Sequence, residues 1–179
     1  MLAGRRVTTR RVAAVVFAAP GRMPGMEAVY TVLGVVSVVV TGLAAGVFFA
    51  FSTFVMGGLR RAPDEHAGPA MVGINEDAVR PPFMSVFGGA LVVPAVAGVV
   101  GLFGGDDGAW WFVAAAVIYL VGGFIVTAAV NVPLNNRLLG AERPAAEWPR
   151  YAPPWVRWNH VRTVASTGAT ALCAVGLLA

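Results

Sequence analysis

No residue from Ala28 to Leu59 is charged, and the stretch is longer than the ~20 residues an α-helix needs to cross a bilayer. It predicts a first membrane helix over about 28–57. A second apolar run covers Pro82 to Gly105, and a third covers Gly108 to Val130. Only Asp106-Asp107-Gly108 separates them, a tight turn that makes the two an antiparallel hairpin. A fourth span runs from about Trp155 to Leu178, with two amphipathic turns at its start. Residues 58–81 are polar and mixed. Within them Met71, Ile74, Asn75 and Ala78 fall at helical spacing, predicting a short amphipathic helix on the membrane surface that Pro81-Pro82 ends. Residues 131–160 read as a polar, proline-rich link. The expected fold class is all-α: a bundle of four transmembrane helices, one short amphipathic helix between spans one and two, and both ends on one side. Gly42 and Gly46 form a small-xxx-small pair that lets a neighbouring helix approach closely. Gly46, Phe49, Thr53 and Met56 share one face, a packing surface or a pocket wall.

Composition agrees. Of 179 residues 58% are hydrophobic and 12% charged, against the ~25% charged of a soluble domain, and mean hydropathy is +0.73. The pI of about 10.2 comes from 13 basic residues, all arginine, set in the gaps between apolar runs without interleaved aromatics. That placement suits a lipid bilayer and argues against nucleic acid. The gaps after spans one and three hold Arg60, Arg61, Arg80, Arg137, Arg143, Arg150, Arg157 and Arg162, and the gap after span two holds none. The positive-inside rule then puts both long gaps in the cytoplasm of a bacterial plasma membrane. Residues 1–25 carry Arg5, Arg6, Arg10, Arg11 and Arg22, which argue the opposite orientation. They read as a basic extension, disordered or upstream of the native start, and residues 26–179 as one membrane domain. Cys173 is the single cysteine, so it reads as a small buried hydrophobe, and His66 and His160 are the only histidines. No ligand spacing for a metal and no phosphate loop is present.

Polar residues inside these apolar stretches carry the candidate chemistry. Asn131, Asn135 and Asn136 cluster where span three should leave the bilayer, and a buried amide is costly unless hydrogen-bonded. Trp155, Trp158, Asn159, Arg162 and Ser166 lie at i, i+3, i+4, i+7 and i+11, one helical stripe. Thr127, Asn131 and Asn135 form a second stripe at i, i+4 and i+8, provided the helix survives as far as Pro133. The two stripes are expected to meet around the Arg162 guanidinium, paired with Asn131 or Asn135 and roofed by indoles. Two other readings of these residues stand beside that one: an arginine snorkelling to the headgroups, and asparagines that clamp span three to span four.

These stretches resemble the anthrone oxygenase-like family of small four-helix membrane proteins. The resemblance rests on Phe51-Ser52-Thr53-Phe54-Val55-Met56-Gly57-Gly58-Leu59, on Met71 to Asn75 with Pro82-Phe83, on Thr127 through Asn131-Val132-Pro133-Leu134-Asn135, and on Trp155-Val156-Arg157-Trp158-Asn159-His160-Val161-Arg162. It implies oxidation of an anthrone-like planar phenolic or polyketide substrate by molecular oxygen, with no cofactor. The catalytic set is then Arg162, Asn131, Asn159 and His160; for the base, His160 is the nearby imidazole, although it projects away from Asn159, and a water held by the asparagines is the other option. The substrate-binding set is Asn135, Trp155, Trp158, Asn75, Thr127 and Phe49, and no metal is expected. The rival reading is a non-catalytic integral membrane protein, either a lipophile-binding module or an accessory subunit. A transporter fits less well, because four spans without internal symmetry or buried acids offer little to couple transport.

Overall fold

Residues 24–179 are described by the computed structural model, and four of their helices are long and apolar enough to cross a membrane. These are α1 (Gly25–Leu59), α3 (Pro81–Gly104), α4 (Ala109–Leu139) and α5 (Pro144–Leu178). A fifth helix, α2 (Asp64–Ala78), joins α1 to α3. There is no strand among the described residues. The basic segment expected over residues 1–25 lies, but for its last two residues, outside them.

The helices alternate up and down. α1 packs against α3 and α5, and α4 closes the ring between α3 and α5. The α3–α4 hairpin is as tight as predicted. Gly105 adopts the left-handed conformation at φ 71°, which lets the Asp106 N–H reach back to the Gly101 carbonyl at 2.9 Å and end the helix. α2 lies across the other end of the bundle, against the first half of α5 and the end of α4.

Facing follows the rule for a chain whose solvent is lipid. Ser37, Thr41, Ala44 and Phe48 form the buried edge of α1, while Val32, Val35, Val39 and Leu43 are exposed. The two hydroxyls satisfy themselves within the helix, Ser37 donating to the Leu33 carbonyl and Thr41 to the Ser37 carbonyl, each at 2.7 Å. Close approach depends on small residues, but only partly on the expected pair. A Cβ built at Gly42 would sit 3.7 Å from the Thr170 methyl, whereas one built at Gly46 would meet nothing within 4 Å among the described residues. Tight contacts include Gly98 on α3, facing Val113 of α4, Gly101 on α3, set between Tyr30 of α1 and Ala109 of α4, Gly122 on α4, against Ala165 of α5, and Gly176 on α5, which faces Phe112.

Two expected boundaries move. α4 does not stop near Val130 but continues through Pro133 to Leu139. π-helical turns over Tyr119–Ile125 and Thr127–Asn131 precede that proline, and Pro133 enters at the first turn of the α-helical stretch Val132–Leu139. A wider turn there absorbs a residue that has no N–H to donate and crowds the preceding carbonyl. α5 begins at Pro144, not near Trp155, and carries Pro149, Pro153 and Pro154 inside it. Pro149 and Pro153 are exposed, and Trp148, Tyr151 and Trp155 are buried against α2 and α4 on the other face. Tertiary packing therefore holds a helix that the prolines alone would have ended.

The uneven roles of the glycines give a test. A Cβ built at Gly98 would sit 2.7 Å from Val113 Cγ2 and 3.1 Å from the Val113 backbone nitrogen. Gly98→Ala should lower stability by about 1–3 kcal/mol, as overpacking does. Gly46→Ala should leave it unchanged, read by thermal unfolding of the protein in detergent.

Candidate functional site

Extending α5 backward through the prolines lengthens the polar stripe. Tyr151, Trp155, Asn159, Arg162 and Ser166 are all buried on one face of the helix, which looks toward α1 and α4. Trp158 departs from the expected stripe and is exposed, because i+3 from Trp155 falls on the rim of the face where i+4 falls at its centre. His160 is exposed as well.

Arg162 is 5% exposed, so it does not snorkel. Its NH2 donates to Asn159 Oδ1 at 2.7 Å and its NH1 to Thr127 Oγ1 at 3.3 Å. The guanidinium carbon lies 4.6 Å from the Phe48 ring centroid and 4.9 Å from that of Trp155. Two aromatic faces thus supply cation–π attraction in a low-dielectric setting, where it is strongest. The partners differ from those expected, since Asn159 and Thr127 take the places foreseen for Asn131 and Asn135. No carboxylate pairs with Arg162 among the described residues: Glu147 pairs with Arg137, and Asp77 pairs with Arg80. Nor does an acceptor among those residues reach its Nε.

Asn159 holds this arrangement in place. Having given its oxygen to Arg162, it donates from Nδ2 to the Phe48 carbonyl and to Ser52 Oγ, each at 2.8 Å. The Thr163 hydroxyl donates to the Asn159 carbonyl at 2.9 Å, so in the 2.8 Å contact between Ser52 and Thr163 the proton comes from Ser52. The circuit leaves one orientation for the amide, with its oxygen toward the arginine.

The other asparagines bind α4 to α5 by separate routes. Asn131 is fully buried and donates to the Trp155 carbonyl at 3.3 Å, while its own oxygen has no partner among the described residues. It does not line the cavity described below, and its position is that of a clamp. Asn135 Oδ1 accepts from Trp155 Nε1 at 2.8 Å and from the Tyr151 hydroxyl at 2.9 Å. Asn75 on α2 donates to that hydroxyl at 3.4 Å. This chain of bonds fixes the Trp155 indole beside the guanidinium.

Arg162, Asn159, Thr127, Asn135 and Asn75 all reach one cavity of about 410 Å³, to which each of α1 to α5 contributes a wall. The volume falls in the ~300–1,000 Å³ range of small-molecule sites. Its walls are largely apolar, and five of the lining residues are aromatic: Phe48, Phe51, Phe83, Phe87 and Trp155. Phe83 and Phe87 stack at 23° between planes, and Phe87 and Phe124 at 14°. Val79, Met84 and Val132 line the cavity and are also exposed, so its mouth is edged with apolar side chains.

Of the residues foreseen, Arg162, Asn159, Asn135, Trp155, Thr127 and Asn75 meet at the cavity. Four are placed elsewhere. Asn131 lies behind Trp155, while Trp158 and His160 are on the outer surface of α5. Phe49 is 56% exposed, and its neighbour Phe48 takes the wall position. Of the face of α1 chosen from Gly46, Phe49, Thr53 and Met56, the first three point outward and only Met56, beyond the π-helical stretch Phe51–Val55, is buried, because an evenly apolar helix carries no facing signal. Ser37 and Thr41 did carry one, and eleven residues on from Ser37 is Phe48. Tyr151, Ser52 and Thr163 were missed, the first because the prolines hid the helix it belongs to. Asp77, also missed, lines the cavity near the end of α2, with its side chain exposed. Among the described residues no three His, Cys, Asp or Glu side chains come together.

The fold and site thus define a class: a four-helix membrane-type bundle with an aromatic cavity built on a buried, unneutralised arginine. Residues 83–172, half of the chain, match the family model described as anthrone oxygenase, and the chain belongs to that family. No curated protein and no solved structure matches it. The matched segment carries Thr127, Asn135, Trp155, Asn159 and Arg162, while α1 and α2 lie outside it.

The unequal bonding of the asparagines predicts unequal losses. Asn159→Ala leaves the buried guanidinium with only its long bond to Thr127 and removes the amide donor to Ser52, at a cost of about 1–3 kcal/mol. Asn131→Ala removes one long bond and an already unpaired oxygen, and should cost about 1 kcal/mol. Denaturant unfolding followed by helical circular dichroism checks the ranking, which the reverse order would contradict.

Proposed function

We propose that the protein oxidises a planar phenolic or polyketide substrate of the anthrone type with molecular oxygen, without a cofactor. The observation that carries this reading is Arg162: a buried cation with neutral partners, set on an apolar cavity with five aromatic residues in its lining. A buried charge needs compensation. An anionic ligand with an aromatic body supplies it, the body filling the cavity and the oxygen meeting the guanidinium.

An anthrone carries an acidic methylene conjugated to a ketone. Loss of that proton puts negative charge on the ketone oxygen and gives an electron-rich enolate that can transfer an electron to oxygen. Arg162, aimed where this charge develops and held there by Asn159 and Thr127, would stabilise the enolate more than the neutral ketone. Trp155, Phe83 and Phe87 would hold the ring system flat. The proposed setting is a bacterial plasma membrane, and the arginine-rich gaps support a cavity mouth on its cytoplasmic face.

The test is oxygen uptake by the purified protein in lipid nanodiscs with an anthrone, after chelation and removal of flavin. Turnover to the anthraquinone is expected, falling by ~100- to 1,000-fold in Arg162→Ala, as when an oxyanion donor is lost. Arg162→Lys should recover little, since an ammonium lacks the planar fork. Wild-type protein that binds the anthrone without consuming oxygen would point instead to a lipophile-binding module. Trp155→Ala should weaken binding, and Trp158→Ala, outside the cavity, should not.

A further inference from the structure

We infer that Asp77 is the proton acceptor and donor of the reaction, an inference that rests on the anthrone-oxidation reading above. Among the described residues, Arg162 and Asp77 are the only cavity-lining residues that carry an ionisable side chain. They stand at opposite ends of it in exposure: Arg162 is buried, and the Asp77 side chain is 73% exposed at the mouth. Asp77 is anchored by Arg80, whose Nε lies 2.9 Å from Asp77 Oδ1. His160, the imidazole foreseen for this role, is on the outer surface of α5 and lines no part of the cavity.

Substrate shape connects the two ends. In an anthrone the ketone and the methylene lie on opposite edges of the central ring. A molecule whose ketone oxygen meets Arg162 therefore turns its methylene away from the buried end, toward the mouth and the carboxylate. The exposure of Asp77 also gives the proton a route to water.

Each step balances with these groups and oxygen alone. Asp77 takes a methylene proton, and the C–H electron pair moves onto the ketone oxygen facing Arg162. The enolate gives one electron to O2, and the resulting carbon radical and superoxide join through a new C–O bond. The peroxide anion takes the proton back from Asp77. Asp77 then removes the second hydrogen from that carbon; its electron pair forms the new C=O as the O–O bond breaks. Hydroxide leaves and takes the proton from Asp77 as water. The carbon is oxidised by four electrons, O2 is reduced by four, one oxygen atom enters the quinone and the other becomes water.

The test uses the full chain in nanodiscs with an anthrone, comparing wild type with Asp77→Asn, Asp77→Ala and, as a neighbouring charge control, Glu76→Gln. Glu76 is exposed and outside the cavity. Turnover should fall by ~100-fold or more in both Asp77 variants and stay at the wild-type level in the control. The anthraquinone product should bind both with wild-type affinity, since Arg162 is intact. Added formate should restore turnover to Asp77→Ala and not to Arg162→Ala, an effect that a purely structural role would not produce. A methylene-deuterated anthrone should show a larger isotope effect in Asp77→Asn than in wild type. An active wild type with undiminished Asp77 variants, or a loss that formate does not relieve, overturns the role of Asp77 and leaves the function standing. A wild type that consumes no oxygen overturns both.

Discussion

A guanidinium inside a membrane-type bundle, with no carboxylate among the described residues to balance it, constrains everything around Arg162. On insertion scales a central arginine costs about 2.5–3.5 kcal/mol, and a bundle tolerates it only where its donors and charge are met. A carboxylate partner would meet them and cancel the charge. Here the partners are Asn159, Thr127 and two aromatic faces, which stabilise the cation and leave its charge available to the cavity. That choice propagates. An Asn159 oxygen committed to arginine leaves two amide protons to be placed, and they fix the Phe48 carbonyl and Ser52 on α1. The position of α1 against α5 is thus tied to the needs of one side chain.

Backbone irregularity supports the same group. Phe51–Val55 in α1 and the stretches Tyr119–Ile125 and Thr127–Asn131 in α4 are π-helical, and all flank the arginine. A π-helical turn holds more residues than an α turn and so re-aims the side chains beyond it. Through it Thr127, Asn131 and Asn135 each make a bond to α5, at Arg162, the Trp155 carbonyl and the Trp155 indole respectively. The Thr127 hydroxyl donates back to the Gly123 carbonyl at 2.7 Å, which leaves its oxygen lone pairs for the guanidinium.

The number of helices, their class and the α3–α4 hairpin were legible because apolar length and a short turn are enough to define them. Arg162, Asn159, Thr127 and Asn135 were legible for a related reason: a polar group in an apolar run must have a partner, and helical spacing says which such groups share a face. What spacing could not give was the pairing, since Asn131 and Asn159 are equally good amides and only the helix offset decides which meets the arginine. Phe48 was misread as Phe49 because α1 is apolar all round. The start of α5 and Tyr151 were lost to Pro149, Pro153 and Pro154, whose local veto on helix is overridden by the burial of Trp148, Tyr151 and Trp155.

Presentation of the positive charge and shaping of the cavity sit on separable parts of the chain. The side chains that meet the guanidinium from α4 and α5, together with Asn135 and its two donors, lie within residues 83–172. α1 and α2 lie outside that match and supply Phe48, Phe51, Met71 and Ile74, which are wall, together with Asn75 and, at the mouth, Asp77. What Asn159 requires of residue 48 is a carbonyl, an atom any residue provides. The aromatic side chain at that position can therefore change while the amide stays anchored, although a cation–π contact is lost. Ser52 has less freedom, because its hydroxyl both accepts from Asn159 and donates to Thr163. A bundle built this way can reshape its cavity from α1 and α2 without disturbing how α4 and α5 present the charge.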